Sequence, residues 1–332
     1  MTEKEHPKVN FGKTGILLIN LGTPDSTSWL DIRKYLKEFL SDKRVIEVNP
    51  IIWQIVLNLF ILTFRPSKTA HAYKKIWFKK ENISPLLYYT KSQTIKLRNI
   101  LSGKKIIIDF AMRYGNPSIR SKLNLLQQQG CERIVILPLY PQYAAPTTAT
   151  VCDEVYRSLM KMRWQPSLQI VPHYESEELY INALVQSIKE KVASIKWKPD
   201  LIVASYHGIP KSYFDKGDPY QCYCQKTSRL IKERYTDIEI LTTFQSRFGP
   251  QEWLKPYTDK TLDELPSKGK KNILVICPGF ASDCVETLEE INIQGKESFI
   301  NNGGKNFDLI PCLNDREDHI ELFKSLVNRH LT

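Results

Sequence analysis

Short apolar runs alternate with amphipathic stretches along the chain. The runs are rich in Ile, Val and Leu, show little polar alternation, and end at Gly, Pro or a polar turn. Continuous apolar runs of this kind are typical of parallel strands, which are buried on both faces. The amphipathic stretches predict helices, for example at residues 31–40, 90–101 and 177–192. The alternation predicts an α/β fold of parallel sheets flanked by helices. We predict strands at residues 16–20, 106–110, 134–137, 169–172, 201–205, 238–242, 273–277 and 308–310.

The two halves of the chain contain similar motifs in the same order. The segment GILLINLGTPDS resembles LIVASYHGIPKS, MRYGNP resembles SRFGPQ, and RIVILPLY resembles NILVICPGF. Each motif is a predicted strand followed by a turn, so we predict two similar α/β domains. A change in composition near residues 161–167 sets the boundary, with residues 1–163 in the first domain and 164–332 in the second. The last helix is a candidate to pack back on the first domain.

The first half contains an insertion, at about residues 40–90, that the second half lacks. Gly22 and Arg113 are 91 positions apart, whereas the matching Gly208 and Arg247 are only 39 positions apart, a difference of 52. In α/β proteins, an insertion that follows a strand lies near the carboxyl ends of the strands, where ligands bind. We therefore expect the insertion to border a ligand pocket.

Within this insertion, residues 51–64 are almost wholly apolar. This length is below the roughly 20 apolar residues needed to span a bilayer. A buried helix is the simple alternative, but the position of the insertion favours a pocket lip with a peripheral membrane contact. We expect Trp53, Leu57 and Leu62 to be exposed lip residues.

Composition narrows the classes of function. The chain has 332 residues, 42% of them hydrophobic, and a formal net charge of +11. Its Lys and Arg residues are scattered, and no nucleic-acid-binding motif or glycine-rich nucleotide loop is recognisable, so we expect no nucleic acid partner. Residues 1–13 are too polar for a secretory signal, and seven cysteines, an odd number, do not indicate a disulfide framework. A cytoplasmic location is therefore expected.

One of the six histidines occupies a distinctive position. His207 follows the predicted strand 201–205 and precedes Gly208, which permits a sharp turn. The imidazole is therefore expected at the mouth of the cleft between the domains. Because imidazole titrates near neutrality, His207 is a candidate to accept a proton or to bind a metal. A purely structural histidine is the alternative.

A group of acidic residues follows the predicted strand 273–277. Asp283 can cap the next helix or contribute to a metal-delivery track. Glu286 and Glu290 are four positions apart and share one helical face. On a surface helix such a pair is merely tolerated, but in the cleft it would form an oxygen-rich track for a divalent cation. Glu289 is offset by about 100° and is expected to face solvent.

Several blocks of the sequence resemble the ferrochelatase family, in its proteobacterial form. They include LIVASYHGIPKSYFDKGDPY (201–220), TFQSRFGPQEWLKPYTDKTL (243–262) and CPGFASDCVETLEEI (277–291), and the similarity extends from about Gly15 to the C-terminus. The resemblance implies two Rossmann-like domains of the chelatase type. It also implies a lyase that inserts Fe²⁺ into protoporphyrin IX to form protohaem, the last step of haem biosynthesis. Protoporphyrin IX and Fe²⁺ would be its substrates, with no permanently bound cofactor.

The resemblance also implies roles for individual residues. His207 and Glu286 would be the paired metal- and proton-handling residues that face each other across the porphyrin. Glu290 would continue a row of acidic residues that begins at Glu286, on a helix that bulges toward π geometry. We assign proton acceptance to His207 and metal delivery or charge compensation to Glu286, and the reverse assignment stays open. The resemblance places four residues in the porphyrin pocket: Leu21, Arg113, Tyr114 and Tyr143.

The chain departs from other members of the family at several positions. Cys284 stands where animal members have His. Gln294 stands where other members have a third acidic residue after Glu286 and Glu290. Ala145 replaces a cysteine that ligates a cluster elsewhere in the family, and no Cys follows Cys312. Because an iron–sulfur cluster needs four such ligands, none is expected here.

Three alternatives remain open from the sequence. A coproporphyrin ferrochelatase is the nearest of them. A cobalt or nickel chelatase would share the His and Glu pair, but such chains are usually shorter and lack the insertion. A non-enzymatic, two-lobed metal- or haem-binding protein would share the fold but should carry an export signal.

Overall fold

The computed structural model describes residues 11–101, 103 and 105–331, and eight strands lie within these ranges. The eight predicted strands are confirmed, although the ends of the fourth and sixth are shifted. The expectation that no secretory signal is present rests mainly on residues 1–10, which lie outside the described residues. The strands are β1 Lys13–Thr23, β2 Ile106–Gly115, β3 Cys131–Pro138, β4 Ser167–Ile170, β5 Leu201–His207, β6 Ile240–Gln245, β7 Asn272–Ile276 and β8 Asn306–Ile310.

The strands form two four-stranded sheets with equivalent topology. Their orders are β2-β1-β3-β4 and β6-β5-β7-β8, and every pairing is parallel. In the inner strand β1, residues 16–19 are fully buried, as expected for a parallel strand covered on both faces. The matching topology confirms the two similar α/β domains that the repeated motifs predicted.

The boundary between the two sheets lies later than predicted. β4 pairs with β3 from Arg133 opposite Ser167 to Ile136 opposite Ile170, so the first sheet continues beyond the predicted boundary at residues 163/164. None of the four residues of β4 is fully buried, and such a strand gives only a weak apolar signal. The division between the sheets therefore falls between Ile170 and Leu201.

Helices cover both sheets. Among the described residues the α-helices are α1 Trp29–Leu40, α2 Pro50–Val56, α3 Leu62–Ile76, α4 Pro85–Ile100, α5 Ile119–Gln128, α6 Thr150–Leu159, α7 Glu178–Ser194, α8 Lys211–Asp215, α9 Tyr220–Arg234, α10 Thr258–Glu264, α11 Lys296–Asn301 and α12 Glu317–Asn328. The π-helical segments are π1 Leu57–Ile61, π2 Ala145–Ala149 and π3 Glu286–Gly295. Local sequence sets the helix starts: Ser84 caps α4 by accepting from the backbone N–H of Leu87, and Pro85 follows at the first helical position.

The segments α2, π1 and α3 form one continuous helix, Pro50–Ile76. It has 27 residues, and by length and composition it could cross a membrane, which the apolar residues 51–64 alone could not. Leu40 on α1 accepts a hydrogen bond from the indole N–H of Trp53 at 2.6 Å, so this helix is attached to the body of the first domain.

The expectation that Trp53, Leu57 and Leu62 are exposed lip residues is wrong for the two leucines. Leu57 and Leu62 are fully buried in a cluster with Tyr35 and Tyr73, and Trp53 is half-buried. Because most of the exposed positions of the segment are apolar as well, its sequence does not indicate clearly which face packs inward. A different set of large side chains is more than half exposed: Ile51, Ile52, Ile55, Leu59, Phe60 and Phe64.

The last helix contacts both halves of the chain. α12 packs against α4 and α7. At its start, the Lys96 ammonium on α4 donates to the Asp315 carbonyl at 2.5 Å and pairs with Glu317 at 2.9 Å. The two halves are therefore joined by polar contacts as well as by a shared apolar core.

Candidate active site

A cavity of about 450 Å³ lies between the carboxyl ends of the strands of the two sheets. It is lined by Leu21 at the end of β1, by His207 at the end of β5 and by residues 279–282 after β7. The helix α3 and the segment π3 supply further walls. α/β proteins bind ligands at this edge of their sheets, and the volume lies within the range of small-molecule sites.

His207 is the last residue of β5 and lines the cavity. Its Nδ1 lies 2.6 Å from the carbonyl oxygen of Gly208, and since a carbonyl can only accept, Nδ1 carries the proton of this bond. In the tautomer with this bond, the acceptor lone pair of the imidazole is on Nε2. A Cβ at Gly208 would lie 3.0 Å from the Gln245 carbonyl oxygen and 3.1 Å from the Trp253 ring. Close packing therefore explains this glycine, rather than a sharp turn.

Two residues at the end of β6 link His207 to π3. Gln245 lies opposite His207 in the β5–β6 register, and its side-chain amide donates to the backbone carbonyl of Glu286 at 2.8 Å. Ser246 follows with a φ of 67°, in the left-handed region, and directs both its N–H and its hydroxyl towards Glu290. No motif in the sequence predicted these two roles.

The segment π3 brings Glu286 and Glu290 to the same cavity as His207. The π winding that the resemblance implied is confirmed. The Glu290 carboxylate accepts from the N–H of Ser246 at 2.7 Å and from its hydroxyl at 2.5 Å. Burial raises the pKa of Glu290 and the Glu286 carboxylate adds to this, whereas the Ser246 bonds and His207 oppose it. The charges of His207 and Glu286 therefore both act on the Glu290 carboxyl.

Glu289 does not face solvent, contrary to expectation. Its side chain is 6% exposed and lines the cavity. One of its oxygens accepts from the Lys75 ammonium on α3 at 2.9 Å, and the other accepts from the Gln294 amide at 2.6 Å. The expectation assumed the angular offset of an α-helix, and the wider turn of a π-helix changes that offset.

Asp283 is buried and does not line the cavity. Its carboxylate holds the segment that precedes π3. One carboxylate oxygen accepts from the Thr287 hydroxyl at 3.0 Å and from the Cys312 N–H at 3.3 Å. The other accepts from the Asn314 amide at 2.7 Å. Because protein donors occupy both oxygens, Asp283 braces the segment that precedes π3.

Arg113, Tyr114 and Tyr143 are not among the residues that line the cavity, so the structure does not bring them together with His207. The Arg113 guanidinium pairs with Asp42 and donates to the Thr150 carbonyl at 3.0 Å and hydroxyl at 2.7 Å. Tyr114 is fully buried and donates to Asp42 at 3.0 Å. Burial would raise the pKa of Asp42, but its bond from Thr150 and the charge of Arg113 outweigh burial and lower it. The acid partner lies 71 positions away in the chain, which no local motif can indicate.

Leu21 lines the main cavity as expected, and it also borders a second cavity of about 10 Å³. That volume has room for about one water molecule. Glu286, Tyr35 and Tyr73 lie around it. Burial raises the pKa of both tyrosines and the charge of Glu286 adds to the rise, so their hydroxyls stay protonated and can donate hydrogen bonds.

Two cations of α3, Arg65 and Lys68, line the main cavity. The Arg65 guanidinium lies 5.4 Å from the centre of the Phe248 ring. No carboxylate forms an ion pair with either cation among the residues that the structure describes. Both side chains are exposed and carry uncompensated charges, so this wall of the cavity is suited to an anionic group of a ligand.

The described residues contain no cluster of three or more His, Cys, Asp or Glu side chains arranged to hold a metal ion. Burial raises the pKa of the buried thiols of Cys277, Cys284 and Cys312, so these thiols stay protonated and are poor metal ligands. The Cys284 thiol is also coupled to Glu286, which raises its pKa further.

Solved structures identify the class of fold. SirB from Bacillus subtilis with Fe³⁺ matches with a TM-score of 0.59 and 12% sequence identity, over 96% of this chain and 95% of that one. The sirohydrochlorin chelatase SirB from Bacillus subtilis subspecies spizizenii, in complex with cobalt, matches with a TM-score of 0.58 and 11% identity, over 96% and 94%. The fold is therefore the two-domain fold of the chelatases.

The sequence identifies the family within this class. The ferrochelatase family model matches residues 13–331. A ferrochelatase from Allorhizobium ampelinum is 53% identical over 98% of this chain and 96% of the relative. One from Francisella tularensis subsp. novicida is 52% identical over 97% of both chains. The chain belongs to the ferrochelatase family, and it is a lyase that inserts ferrous iron into a porphyrin for haem synthesis.

Proposed function

We propose that the porphyrin substrate is protoporphyrin IX, with His207 accepting pyrrole protons on one side of the ring and Glu286 handling the ferrous ion on the other. The observation that carries this proposal is the convergence of His207, Glu286 and Glu290 on one cavity from two separate elements, β5 and π3. A base at the end of β5 and carboxylates on π3, around one cavity, suit a ligand that exchanges protons for a metal ion.

The proton balance of the reaction supports these roles. Two N–H protons must leave the macrocycle as the divalent ion enters. The free Nε2 of neutral His207 can accept one proton as a general base. Glu290, whose pKa is raised by burial, is suited to hold the other. The Glu286 carboxylate offers an oxygen ligand to the incoming ion, and mixed imidazole and carboxylate contacts suit ferrous iron.

The cations of α3 support a porphyrin with carboxylates along one edge. Arg65 and Lys68 lie three positions apart on one wall of the cavity, at the spacing of neighbours on a helix. Protoporphyrin IX presents both of its propionates at one edge, whereas coproporphyrin presents four around the ring. The adjacent pair of cations therefore favours protoporphyrin IX.

The test is ferrous iron insertion, measured anaerobically by absorbance, with protoporphyrin IX and coproporphyrin III in separate assays. We expect the higher kcat/KM with protoporphyrin IX, and Arg65→Gln should raise KM for it with little change in kcat, because the guanidinium binds a part of the substrate that does not react. Faster turnover of coproporphyrin III would contradict the choice of substrate.

We further propose that the enzyme is cytoplasmic and contacts the membrane peripherally through the exposed apolar face of Pro50–Ile76. The six exposed side chains of this face are between 54% and 75% accessible. The net charge of +11 favours anionic lipid surfaces. Because Leu57 and Leu62 of the same helix pack against the protein, the helix is suited to lie on a membrane rather than to cross it.

Flotation with vesicles of phosphatidylcholine and phosphatidylglycerol tests this contact. The double variant Leu59→Ser/Phe60→Ser should lose most vesicle binding, because it removes two exposed apolar groups from the face. The control Met160→Ser, at a residue that is 81% exposed on another helix end, should bind as the wild type does. Unchanged binding of the double variant would refute the contact.

We also propose that the enzyme needs no iron–sulfur cluster. Support comes from the protonated, buried state of the thiols of Cys277, Cys284 and Cys312. Anaerobically purified protein should therefore lack the visible absorption of a cluster and contain no acid-labile sulfide. Stoichiometric iron and sulfide would overturn this proposal.

A further inference from the structure

Residues 41–49, which we call the strap, connect α1 to the apolar helix Pro50–Ile76 and form neither a helix nor a strand. At the start of the strap, the Asp42 carboxylate pairs with the Arg113 guanidinium on β2, which attaches this end to the first domain. Val45, in the middle of the strap, lines the main cavity. The strap is therefore a part of the cavity wall that the first domain supplies.

The middle of the strap is held by the second domain, through Tyr213 on α8. The Tyr213 hydroxyl donates to the Val45 carbonyl at 3.0 Å and accepts from the Glu47 N–H at 3.1 Å. These bonds join groups that are 168 and 166 positions apart in the chain. Tyr213 is only 6% exposed, and it also lines the cavity. One buried hydroxyl thus uses both its donor and an acceptor lone pair to join the walls that the two domains supply.

An ion pair lies beside this contact. The Lys216 ammonium, at the end of α8, pairs with the Glu47 carboxylate at 2.5 Å, and the Lys216 side chain is 63% exposed. An exposed ion pair contributes little because water screens the charges. A buried hydrogen bond is costly to break, because its partners are left without water. We therefore expect the Tyr213 hydroxyl, rather than Lys216, to fix the strap.

The place of Tyr213 in the chain connects the strap to the site of the reaction. His207 ends β5, and Tyr213 follows six positions later, in the next helix. Because α8 follows directly from the strand that carries the imidazole, the strap is held relative to His207. The wall that Val45 forms therefore lies at a fixed separation from the imidazole.

We propose that the Tyr213 hydroxyl sets the width of the porphyrin pocket by holding the strap against the second domain. Tyr213 acts through the strap and is a positioning residue. The inference rests on the proposed place of the porphyrin in this cavity. It deepens that proposal by naming the group that fixes the separation between the two walls.

Tyr213→Phe tests the proposal because it removes the hydroxyl and keeps the ring. Hydrogen exchange of the strap amides, followed by mass spectrometry without porphyrin, should become at least about tenfold faster, because the Glu47 N–H loses its acceptor and the strap opens locally. In the ferrous iron assay, KM for protoporphyrin IX should rise about tenfold while kcat stays within about threefold of the wild type, because the strap contacts parts of the macrocycle that do not react. KM for ferrous iron should stay within about twofold of the wild type, which a general loss of structure would not produce.

Lys216→Gln is the matched control. It breaks the ion pair between α8 and the strap but leaves both hydrogen bonds of the Tyr213 hydroxyl in place. Its strap exchange and its KM for protoporphyrin IX should equal those of the wild type. Thermal melting establishes that each variant is folded, and Tyr213→Leu serves if Tyr213→Phe does not fold.

Three outcomes would overturn the proposal. Unchanged strap exchange in Tyr213→Phe would show that the hydroxyl does not hold the strap. Faster exchange with an unchanged KM for protoporphyrin IX would show that the strap does not shape the pocket. Equal changes in Lys216→Gln would assign the role to the ion pair.

Failure of the proposed function would give a different result. If the porphyrin binds in this cavity, protoporphyrin IX should slow strap exchange in the wild type, because it covers the wall that Val45 forms. An effect of this kind together with any of the three outcomes above would sink the inference and leave the proposed function intact. Its absence in the wild type would place the porphyrin elsewhere and overturn both.

Discussion

His207 and Gln245 lie directly opposite each other at the carboxyl ends of the adjacent strands β5 and β6. The Gln245 amide donates to the backbone carbonyl of Glu286 at 2.8 Å, where π3 begins. One buried glutamine thus connects the strand that carries the imidazole with the segment that carries the carboxylates. The position of Glu286 relative to His207 is therefore set by main-chain register and by the Gln245 side chain, and Ser246 holds Glu290 in the same way.

Replacing Gln245 with Met should therefore disturb the position of Glu286 without disturbing porphyrin binding. The change leaves the Glu286 carbonyl without its partner and costs about 1–3 kcal/mol of unfolding free energy. It should also lower kcat by about tenfold, because small displacements of reacting groups are costly, with little change in KM for the porphyrin. The control is Thr243→Val in the same strand, since the Thr243 hydroxyl accepts from Thr258 at 2.8 Å and, among the described residues, makes no hydrogen bond to π3. Equal kcat losses in both variants would show that Gln245 has no special positioning role.

Glu286 and Glu289 both line the cavity, but they should differ in their effect on the rate. Glu286→Gln should lower kcat by roughly 100-fold, as expected when a charged group at the reacting centre is removed. Glu289→Gln should stay within about threefold of the wild type, because Lys75 already compensates that carboxylate. Steady-state kinetics with ferrous iron distinguish the two. Similar losses would mean that Glu289 also handles the ion.

Leu57 and Leu62 should behave as core residues although they belong to an exposed apolar segment. Each is fully buried, so truncation to Ala should cost about 2–5 kcal/mol of unfolding free energy. Ile55→Ser is the matched control, since Ile55 is 54% exposed on the same helix and should change stability by no more than about 0.5 kcal/mol. Urea unfolding measures the unfolding free energy of all three variants. Stable Leu57→Ala and Leu62→Ala variants would mean that the helix packs differently.

His319 should make the protein less stable in acid. It is buried, its Nδ1 donates to the Asn314 carbonyl at 2.7 Å, and burial lowers its pKa from 6.5 to about 4. As the pH falls from 6.5 to 4, the unfolded chain gains a proton that the folded chain excludes, so folding loses about 3 kcal/mol over this range. His319→Asn can keep the hydrogen bond and removes the titrating group. The unfolding free energy of the variant should therefore depend less on pH between 6.5 and 4; an unchanged slope would mean that other groups account for the acid sensitivity.

The strands and His207 could be predicted because their signals are local. A parallel strand buried on both faces is a continuous apolar run, and a polar residue that directly follows such a run lies at the ligand-binding edge. The repeated motifs then indicated two domains without any knowledge of their packing.

The sequence-based predictions that the structure does not support concern side chains whose direction depends on distant partners. Arg113 follows the same strand-end pattern as His207, but Asp42 from another element draws it into a buried cluster. Glu289 turns inward because the segment winds as a π-helix and Lys75 lies opposite. Neither partner is visible in a local pattern of residues. In the almost wholly apolar segment 51–64, most of the exposed positions are themselves apolar, so the sequence pattern does not separate its buried face from its exposed face.

The central claim, that His207 accepts pyrrole protons while the opposite wall handles the metal, is tested most directly with His207→Ala. Protoporphyrin IX affinity, by fluorescence quenching, and ferrous iron insertion, by absorbance, are measured on the same folded preparation. The account predicts porphyrin binding within about threefold of the wild type and insertion slowed by about 100-fold or more, the contribution of a general base. Insertion within threefold of the wild-type rate would contradict it.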